Sequence, residues 1–478
     1  MHMTYPELAL LIDGAFITGA GRKSEPVFNP ATGRVLAQLP HASASDLEAA
    51  LEAAQRGFAI WRAVSAAERG KIIKRAADLI RERIDTIAVA MTLEQGKPLA
   101  ESRGEAAYAA DVIEWYAEEG RRAYGRIVPS RVPGVRLMVE QEPVGVAVAF
   151  TPWNFPALTP ARKIGGALAA GCALVLKPAE ETPATAIELA RAFVDAGLPK
   201  GVLNIVFGAP AEVSQHLIAS PISRKVSFTG SVPIGRHLMQ LSATHMKRTT
   251  MELGGHAPVV IFDDVDLEKT AAACVTAKYR NAGQVCIAPT RFYVQEKIYE
   301  RFADRFAAGA RSLVLGDGMD PTTQMGPMAN ARRVEAMETM VADARDQGAT
   351  ITAGGARRGN HGLFFEPTVI ANAPDEALVM REEPFGPIAP IASFRDFDDV
   401  IARANGVPYG LAAYAFTTSN QRALDVGRAL KAGMVGVNSF AVSHPETPFG
   451  GVKESGHGQE GGVEGLQAYF DVKLLSHG

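Results

Sequence analysis

The chain has 478 residues, of which 47% are hydrophobic and 21% are charged, and its formal net charge at pH 7 is −3. A chain of this length exceeds what one hydrophobic core supports, so we expect two or three domains. The nearly neutral charge excludes the strong electrostatic attraction with which basic proteins bind nucleic acids or anionic membranes, which leaves small molecules as the expected partners.

The three cysteines, Cys172, Cys274 and Cys286, are widely spaced and odd in number. They have neither the spacing of a zinc site nor the even count of a disulfide framework, which predicts free thiols in a reducing compartment and no bound metal. The N-terminal stretch MHMTYPELALLIDG has an apolar run too short to span a membrane. It also lacks the basic start and cleavage site of a signal peptide. We therefore expect a cytoplasmic protein.

The first third of the chain has a helical pattern, and apolar residues from Ile72 to Ile87 recur at the spacing of one amphipathic helix. From Val144 onward the pattern changes. Short apolar runs alternate with helical stretches, in the order VGVAVAF, ALVLK, LNIVFG, KVSFTG and TTMEL. Strands that alternate with helices of this length predict βαβ units and a parallel sheet covered on both faces.

A second alternation runs from Pro258 to Val437, with the apolar runs PVVIF, TRFYV, PIAPIASF and GMVGVN, and predicts a second α/β domain. Ligands of parallel sheets bind at the carboxyl ends of the strands. Four segments that follow strands of the first alternation are therefore expected on one rim: TPWNFP at 151–156, KPAEETP at 177–183, TGS at 229–231 and ELGG at 252–255.

Two of these segments predict a dinucleotide site. Gly230 permits a turn, Ser231 suits a helix N-cap and Pro233 suits a first helical turn, so the N–H groups of the new helix would attract a phosphate. The alternative is ordinary turn chemistry, which is the more common reason for a glycine between a strand and a helix. Lys177 and Glu180 end a neighbouring strand, where a carboxylate accepts a bond from a ribose 2′-OH and repels a 2′-phosphate, which favours NAD. The alternative for these two residues is a surface ion pair.

Three further residues predict chemistry at the rim. Asn154 lies between Trp153 and Phe155 in a proline-stiffened loop and is either a rigid amide donor for an oxyanion or a backbone cap. Glu252 is either a general base or half of an ion pair. Cys286 is either a packed hydrophobe or a reactive thiol. Taken together, a thiol, an amide, a carboxylate and a dinucleotide site are the groups needed to oxidise an aldehyde through a thioester.

The motifs PWNFP, KPAEETP, FTGS, MELGG, GQVC, EEPFGP and PFGGVKESG resemble, in order and approximate spacing, those of the NAD(P)-dependent aldehyde dehydrogenase superfamily, over essentially the whole chain. The resemblance implies an α/β fold and a homodimer or homotetramer. It also implies three parts: a Rossmann-like NAD-binding domain at 1–120 and 143–253, a second α/β catalytic domain at 254–454, and small oligomerisation strands at 121–142 and 466–478.

The resemblance also implies roles for single residues. Cys286 matches the nucleophile, Glu252 the base that activates the hydrolytic water, and Asn154, with the Cys286 backbone N–H, the oxyanion hole. The implied cofactor is NAD, with NADP possible, and the matching cofactor positions are Trp153, Lys177, Glu180, Gly230, Ser231, Gly254, Glu383 and Phe385. A thiol esterase without redox chemistry would need the same three catalytic residues but none of the cofactor positions.

Within the superfamily the chain is most similar to succinate-semialdehyde and 2-oxoglutarate-semialdehyde dehydrogenases. Arg162 and Arg280 match arginines that bind the carboxylate remote from the aldehyde, and Ser443 would add a hydroxyl to that site. The resemblance implies succinate semialdehyde as substrate, with 2-oxoglutarate semialdehyde or a broad range of aldehydes as alternatives. Ala288 stands where many succinate-semialdehyde enzymes have a second cysteine, so disulfide regulation is expected to be absent.

Overall fold

The computed structural model describes residues 5–478; residues 1–4, which begin the N-terminal stretch considered above, lie outside the described residues. The strands are β1 Leu10–Ile12, β2 Ala15–Ile17, β3 Ser24–Phe28, β4 Val35–Pro40, β5 Arg126–Val128, β6 Arg136–Pro143, β7 Val146–Phe150, β8 Ala173–Lys177, β9 Leu203–Ile205, β10 Ser223–Thr229, β11 Arg248–Glu252, β12 Ala257–Ile261, β13 Pro289–Gln295, β14 Thr350–Ala353, β15 Thr368–Ala371, β16 Ile388–Phe394, β17 Ala412–Phe416, β18 Met434–Val437, β19 Gly456–His457 and β20 Phe470–His477.

The α-helices are α1 Ala44–Trp61, α2 Ala66–Glu82, α3 Ile84–Gln95, α4 Leu99–Glu119, α5 Leu158–Ala170, α6 Pro183–Asp195, α7 Pro210–Ala219, α8 Val232–Thr244, α9 Leu267–Tyr279, α10 Tyr299–Ser312, α11 Ala331–Asp346, α12 Leu378–Arg381, α13 Phe397–Asn405, α14 Asn420–Ala429 and α15 Gly462–Gln467. Among the described residues, no helix combines the length and apolar character needed to cross a membrane.

The first sheet has the strand order β19-β11-β10-β7-β8-β9-β1-β2; its strands β7 to β11 are parallel to one another, whereas β19 and β1 pair antiparallel with β11 and β9. Strands β7 and β8 are buried along their whole length, as expected for the centre of a parallel sheet with helices on both faces. The carboxyl ends of β7, β8, β10 and β11 therefore lie on the same edge, which confirms the predicted rim.

The second sheet has the order β14-β15-β16-β13-β12-β17-β18, with parallel pairing from β15 to β18. Each of these two sheets has its own large hydrophobic core. The two predicted alternations therefore form the two sheets of an α/β fold. Strands β14, β15 and β17 were absent from the sequence prediction.

A third sheet consists of the antiparallel strands β20, β6 and β5, and β20 pairs with β6 from Phe470 opposite Pro143 to His477 opposite Arg136. Its outer surface is apolar in places, since Ile127 is 75% exposed. These strands occupy the segments that the resemblance assigns to oligomerisation, and that assembly role stays a prediction.

The prediction of one continuous amphipathic helix from Ile72 to Ile87 is wrong, because the structure has two helices in this segment. Helix α2 ends at Glu82, and Arg83 leaves the helical conformation with φ −105° and ψ 15° before α3 begins at Ile84. The physical reason is burial. Helix α2 has one exposed face, whereas α3 is buried on almost all sides between α4 and α6, so the two cannot share one straight axis.

Candidate active site

One cavity of about 1280 Å³ extends from the rim of the first sheet to the loops of the second. It brings together twelve of the residues singled out from the sequence: Trp153, Asn154, Arg162, Gly230, Ser231, Glu252, Gly254, Arg280, Cys286, Glu383, Phe385 and Ser443. Lys177 and Glu180 are not among its lining residues and lie at the next strand end, that of β8.

Cys286 differs from the other two cysteines in its exposure. Cys172 and Cys274 are fully buried, as expected for packed hydrophobes, whereas Cys286 is partly exposed to the cavity. Burial of the thiol, together with the negative charges of Glu252 and Glu383, raises its pKa well above the ordinary value. Formation of the thiolate therefore depends on a nearby base, because a protonated thiol is a poor nucleophile.

The loop before Cys286, residues 280–285, has an unusual backbone. Asn281 and Ala282 both have left-handed conformations, with φ 49° and 53°, and Gly283 follows with φ 72°. A side chain on Gly283 would meet the carbonyl oxygen of Gly386 at 2.2 Å, so glycine is required there both for conformation and for space. Strained backbone of this kind persists only where surrounding contacts hold it.

Asn154 lies in the loop after β7 and is 3% exposed. Its side-chain Nδ2 donates a hydrogen bond to the backbone carbonyl of Gln284, two residues before the thiol, at 3.1 Å. An amide nitrogen carries two hydrogens, so the second remains available to an oxyanion formed beside Cys286. The structure thus favours the amide-donor interpretation over the backbone-cap alternative.

Glu252 is the last residue of β11, is 2% exposed, and has one carboxylate oxygen without a hydrogen-bond partner in the structure. Burial, followed by the negative charge of Glu460, raises its pKa to about 8. A carboxyl group with such a pKa exchanges protons readily near neutral pH, which is what a general base requires. The ion-pair alternative for Glu252 is not supported, because no basic side chain among residues 5–478 forms an ion pair with its carboxylate.

The structure also places in this region two charged residues that sequence reasoning missed. Lys163 and Glu460 form a buried ion pair, and Lys163 donates to Ser227 at 3.1 Å. Glu460 lines the cavity and is the charge that acts most strongly on Glu252. The only available signal was a lone carboxylate in the glycine-rich GQEGG stretch, which local pattern does not distinguish from a surface residue.

The N-terminus of helix α8 opens into the cavity. Ser231 stands at the N-cap but its side chain makes no capping hydrogen bond, so the N–H groups of the first turn stay available to a ligand. Glycine is needed at position 230, between β10 and α8, because a side chain there would meet the Phe228 ring at 2.4 Å.

Beside this helix end, the backbone approaches Glu383 closely. A side chain on Gly254 would meet the Glu383 carboxylate at 2.3 Å, and the N–H of Gly255 donates to that carboxylate at 3.2 Å. Burial raises the pKa of Glu383 to about 8. Phe385, with a left-handed φ of 44°, packs edge-on against Trp153 with ring centres 5.5 Å apart. Free helix N–H groups, a carboxyl group and an aromatic wall fit a nicotinamide dinucleotide.

Lys177 and Glu180 form an ion pair with each other, and their side chains are 7% and 16% exposed. The predicted ion pair is thus formed, but it does not lie on the surface, because both side chains are mostly buried at the end of β8. In this arrangement Lys177 and Glu180 are already paired, and a ribose that binds here would have to compete with this ion pair.

At the other end of the cavity, Arg162 is 5% exposed and its guanidinium lies 3.8 Å from the centre of the Phe449 ring. It donates to the Ser443 hydroxyl at 2.8 Å, and that hydroxyl is 3.3 Å from the Tyr108 hydroxyl. The Nε of Arg162 is buried without a hydrogen-bond partner. An arginine with an unused donor beside two hydroxyl groups is suited to bind an anion.

Arg280 is placed differently from Arg162. It is exposed at the cavity edge, with its guanidinium 5.4 Å from the centre of the Phe155 ring, and its charge acts on the carboxyl group of Glu101. Across residues 5–478, the His, Cys, Asp and Glu side chains form no group of three or more that could hold a metal ion.

A cysteine, an amide donor, a buried carboxyl group and a helix N-terminus lie around one cavity on an α/β framework with two sheets, and these are the groups that the oxidation of an aldehyde through a thioester requires. The chain belongs to the aldehyde dehydrogenase family, whose family model matches residues 16–475. It thus has the aldehyde dehydrogenase fold and is an NAD(P)-dependent aldehyde dehydrogenase.

Individual relatives match almost the whole length of the chain. 4-(Hydroxymethyl)benzenesulfonate dehydrogenase TsaD1 of Comamonas testosteroni is 50% identical over 98% of each chain. The NADP(+) succinate-semialdehyde dehydrogenase GabD of Escherichia coli is 44% identical over 98% of this chain and 97% of its own. An aldehyde dehydrogenase of Bacillus cereus solved as an NAD+ complex is 35% identical, with a TM-score of 0.97, over 99% of this chain and 97% of its own.

Proposed function

We propose that this enzyme oxidises an aldehyde that carries an anionic group at its far end, with succinate semialdehyde as the first candidate, to the corresponding acid. The observation that carries this proposal is the buried Arg162, which has an unused donor beside the Ser443 and Tyr108 hydroxyls. A buried arginine without a carboxylate partner is costly unless an anion joins it. The 44% identity to a succinate-semialdehyde enzyme also supports the proposal.

In the proposed reaction the Cys286 thiolate attacks the aldehyde carbon and forms a tetrahedral thiohemiacetal. The second amide hydrogen of Asn154 and the Cys286 backbone N–H stabilise the negative oxygen of this adduct. A nicotinamide dinucleotide held beside Glu383 and the N-terminus of α8 would supply the hydride acceptor for the oxidation that leaves a thioester on Cys286. Glu252 then takes a proton from water, which attacks the thioester and releases the acid and the thiol.

We infer that the N–H groups after Ser231 hold the pyrophosphate, that Glu383 holds the nicotinamide ribose, and that Lys177 and Glu180 hold the adenosine ribose. On this proposal residues 1–120 and 143–253 form the NAD-binding domain and 254–454 the catalytic domain. NAD is the proposed cofactor because Glu180 would repel a 2′-phosphate. The relative GabD is named for NADP(+), so the activity of this enzyme has to be measured with both NAD and NADP.

A second candidate substrate is an aromatic aldehyde that bears a sulfonate. The observation in its favour is the 50% identity to an enzyme named for 4-(hydroxymethyl)benzenesulfonate. A sulfonate is an anion that arginine binds as it binds a carboxylate. The cavity is lined by aromatic side chains against which a benzene ring would pack: Phe155, Tyr414, Phe440 and Phe449.

The test is a comparison of kcat/KM for succinate semialdehyde, 2-oxoglutarate semialdehyde, 4-sulfobenzaldehyde and neutral butanal, each with NAD and with NADP. We expect the anionic aldehydes to exceed butanal by about tenfold or more, since one charged hydrogen bond contributes about 1.5–3 kcal/mol. Equal values for all four would refute the anion site and indicate a broad-specificity enzyme. Ester hydrolysis without any nicotinamide reduction would instead indicate a thiol esterase.

A further inference from the structure

We propose that Lys97 and Glu105 are a buried positioning pair that holds the Asn154 loop in register with the Cys286 loop. The Asn154 loop is defined as residues 152–156 and the Cys286 loop as residues 280–286. The inference rests on the oxyanion and nucleophile roles proposed above for Asn154 and Cys286. It adds two residues that none of the catalytic steps uses.

The ammonium group of Lys97 is fully engaged. Lys97 is 2% exposed, and its Nζ donates to the Glu105 carboxylate at 2.5 Å and to the backbone carbonyl of Asn154 at 2.7 Å. It also lies 4.2 Å from the centre of the Phe155 ring. An ammonium group has three donors, and these three contacts leave none for a substrate. Lys97 is therefore a positioning residue although it borders the cavity.

Glu105 holds the other end of the same loop. Its second carboxylate oxygen accepts hydrogen bonds from the backbone N–H groups of Ala157 at 2.8 Å and Leu158 at 3.1 Å, where helix α5 begins. The Lys97–Glu105 pair therefore binds the backbone on both sides of Phe155: Lys97 at the carbonyl of Asn154, and Glu105 at the N–H groups of Ala157 and Leu158. Because α5 also carries Arg162, the same grip relates the oxyanion donor to the proposed anion site.

The Cys286 loop is attached to the same point. Asn281 donates from its side chain to the Asn154 carbonyl at 2.9 Å, so that oxygen accepts from Lys97 and from Asn281 together. The side chain of Gln95 connects the two donors, since it accepts from the Lys97 backbone N–H and donates to the Asn281 side chain, both at 2.9 Å. Glu101 accepts from the Asn281 backbone N–H at 2.9 Å.

These bonds explain two otherwise costly features. The left-handed Asn281 is held through its backbone N–H and its side chain. A buried lysine–glutamate pair adds little stability compared with an apolar pair of the same volume, so its presence requires another reason. We infer that the pair keeps the Asn154 donor at a fixed distance from Cys286. A displacement of about 1 Å between donor and nucleophile lowers the rate of a reaction by about a hundredfold.

The test measures Lys97→Met in single-turnover hydride transfer, alone and in an Asn154→Ala background. We expect Lys97→Met alone to lower the rate of hydride transfer about 10–100-fold, with the Kd for NAD and the KM for aldehyde changed less than about threefold. In the Asn154→Ala background the same substitution should cost less than about threefold, because Lys97 acts through Asn154. Lys97→Arg, which keeps the charge, should recover part of the rate.

The matched control is Lys225→Met. Lys225 is also a buried lysine, 1% exposed, bonded to Thr250 at 2.6 Å and 4.8 Å from the centre of the Tyr469 ring, but it lies early in β10, away from the rim. We expect it to lower the Tm without changing hydride transfer by more than about twofold. If Lys97→Met does not fold, the charge-neutral pair Lys97→Met with Glu105→Gln is measured in its place, against the same expectations.

Two results separate the possible failures. The positioning role is refuted, and the proposed chemistry stands, if Asn154→Ala slows hydride transfer but Lys97→Met, or the double variant with Glu105→Gln, does not. The same conclusion follows if the losses of rate caused by Lys97→Met and by Asn154→Ala multiply fully in the double variant. If Asn154→Ala itself turns over like the wild type, the oxyanion role fails, and the inference fails with it.

Discussion

Replacement of Arg162 by methionine is the sharpest test of substrate recognition, because this side chain has two separable effects. It offers an unused buried donor to an anion, and its positive charge also lowers the pKa values of Glu252 and Cys286. The substitution should therefore weaken binding of an anionic aldehyde and also make the thiol harder to ionise for every aldehyde.

The magnitude of the first effect follows from the contacts. A hydrogen bond to a charged group contributes about 1.5–3 kcal/mol, which corresponds to roughly a 10–150-fold loss of kcat/KM for an anionic aldehyde. The second effect applies equally to a neutral aldehyde of similar length. The ratio of kcat/KM for succinate semialdehyde to that for butanal therefore isolates the anion contact and should fall roughly 10–150-fold.

The matched control is Arg191→Met, because Arg191 likewise lies over a phenylalanine ring, 4.2 Å from the centre of Phe16, and pairs with Glu188 away from the cavity. It should leave the ratio unchanged. Equal losses for both aldehydes in Arg162→Met, with an unchanged ratio, would refute the anion site and leave Arg162 as a residue that tunes the thiol.

Three further predictions concern the chemistry and the assembly. Cys286→Ala should abolish hydride transfer and leave NAD binding intact in calorimetry; any turnover would exclude Cys286 as nucleophile. Glu252→Gln should slow thioester hydrolysis more than hydride transfer. The wild-type rate of hydrolysis should rise as the pH approaches about 8, because Glu252 loses its proton, whereas the rate of the variant should not depend on pH. A wild-type hydrolysis rate independent of pH would contradict this role. Because the Glu252 pKa is raised, the folded chain holds a proton that the unfolded chain releases, so its contribution disfavours folding increasingly as pH rises from about 4.5 to 8. Val472→Asp with Leu474→Asp, at positions 70% and 62% exposed on β20, should reduce the assembly size in light scattering; an unchanged mass would exclude this face as an interface.

The rim was predictable from the sequence because each of its residues lies at the end of a strand or within a few positions after it. Asn154 and Glu252 come at the ends of buried runs, and in a parallel sheet those ends must lie on one edge. Cys286 was identifiable because it ends the GQVC motif, and the order of the motifs along the chain then indicated that it is the nucleophile.

The residues that sequence reasoning missed depend on contacts between distant segments. Lys163 and Glu460 are 297 positions apart, and each alone has the pattern of a solvated charge. Lys97 lies in the turn between α3 and α4 and Glu105 lies on α4, where the sequence indicated no more than a helical pattern, whereas both are buried against the Asn154 loop. Local periodicity contains no information about what covers a helix, which is why these ion pairs emerge only from the fold.

The first sheet is completed by the short strand β19, whose Gly456 lies opposite Glu252. During synthesis on the ribosome, the partner of Glu252 is therefore made about 200 residues later, which takes roughly 10–40 s at 5–20 residues per second. From the synthesis of Cys286 to the end of that interval, the nascent chain contains Asn154, Glu252 and Cys286 but lacks the edge strand and the Glu460 carboxylate beside Glu252. The surroundings of Glu252 are thus completed only after every other strand of the two large sheets has been synthesised.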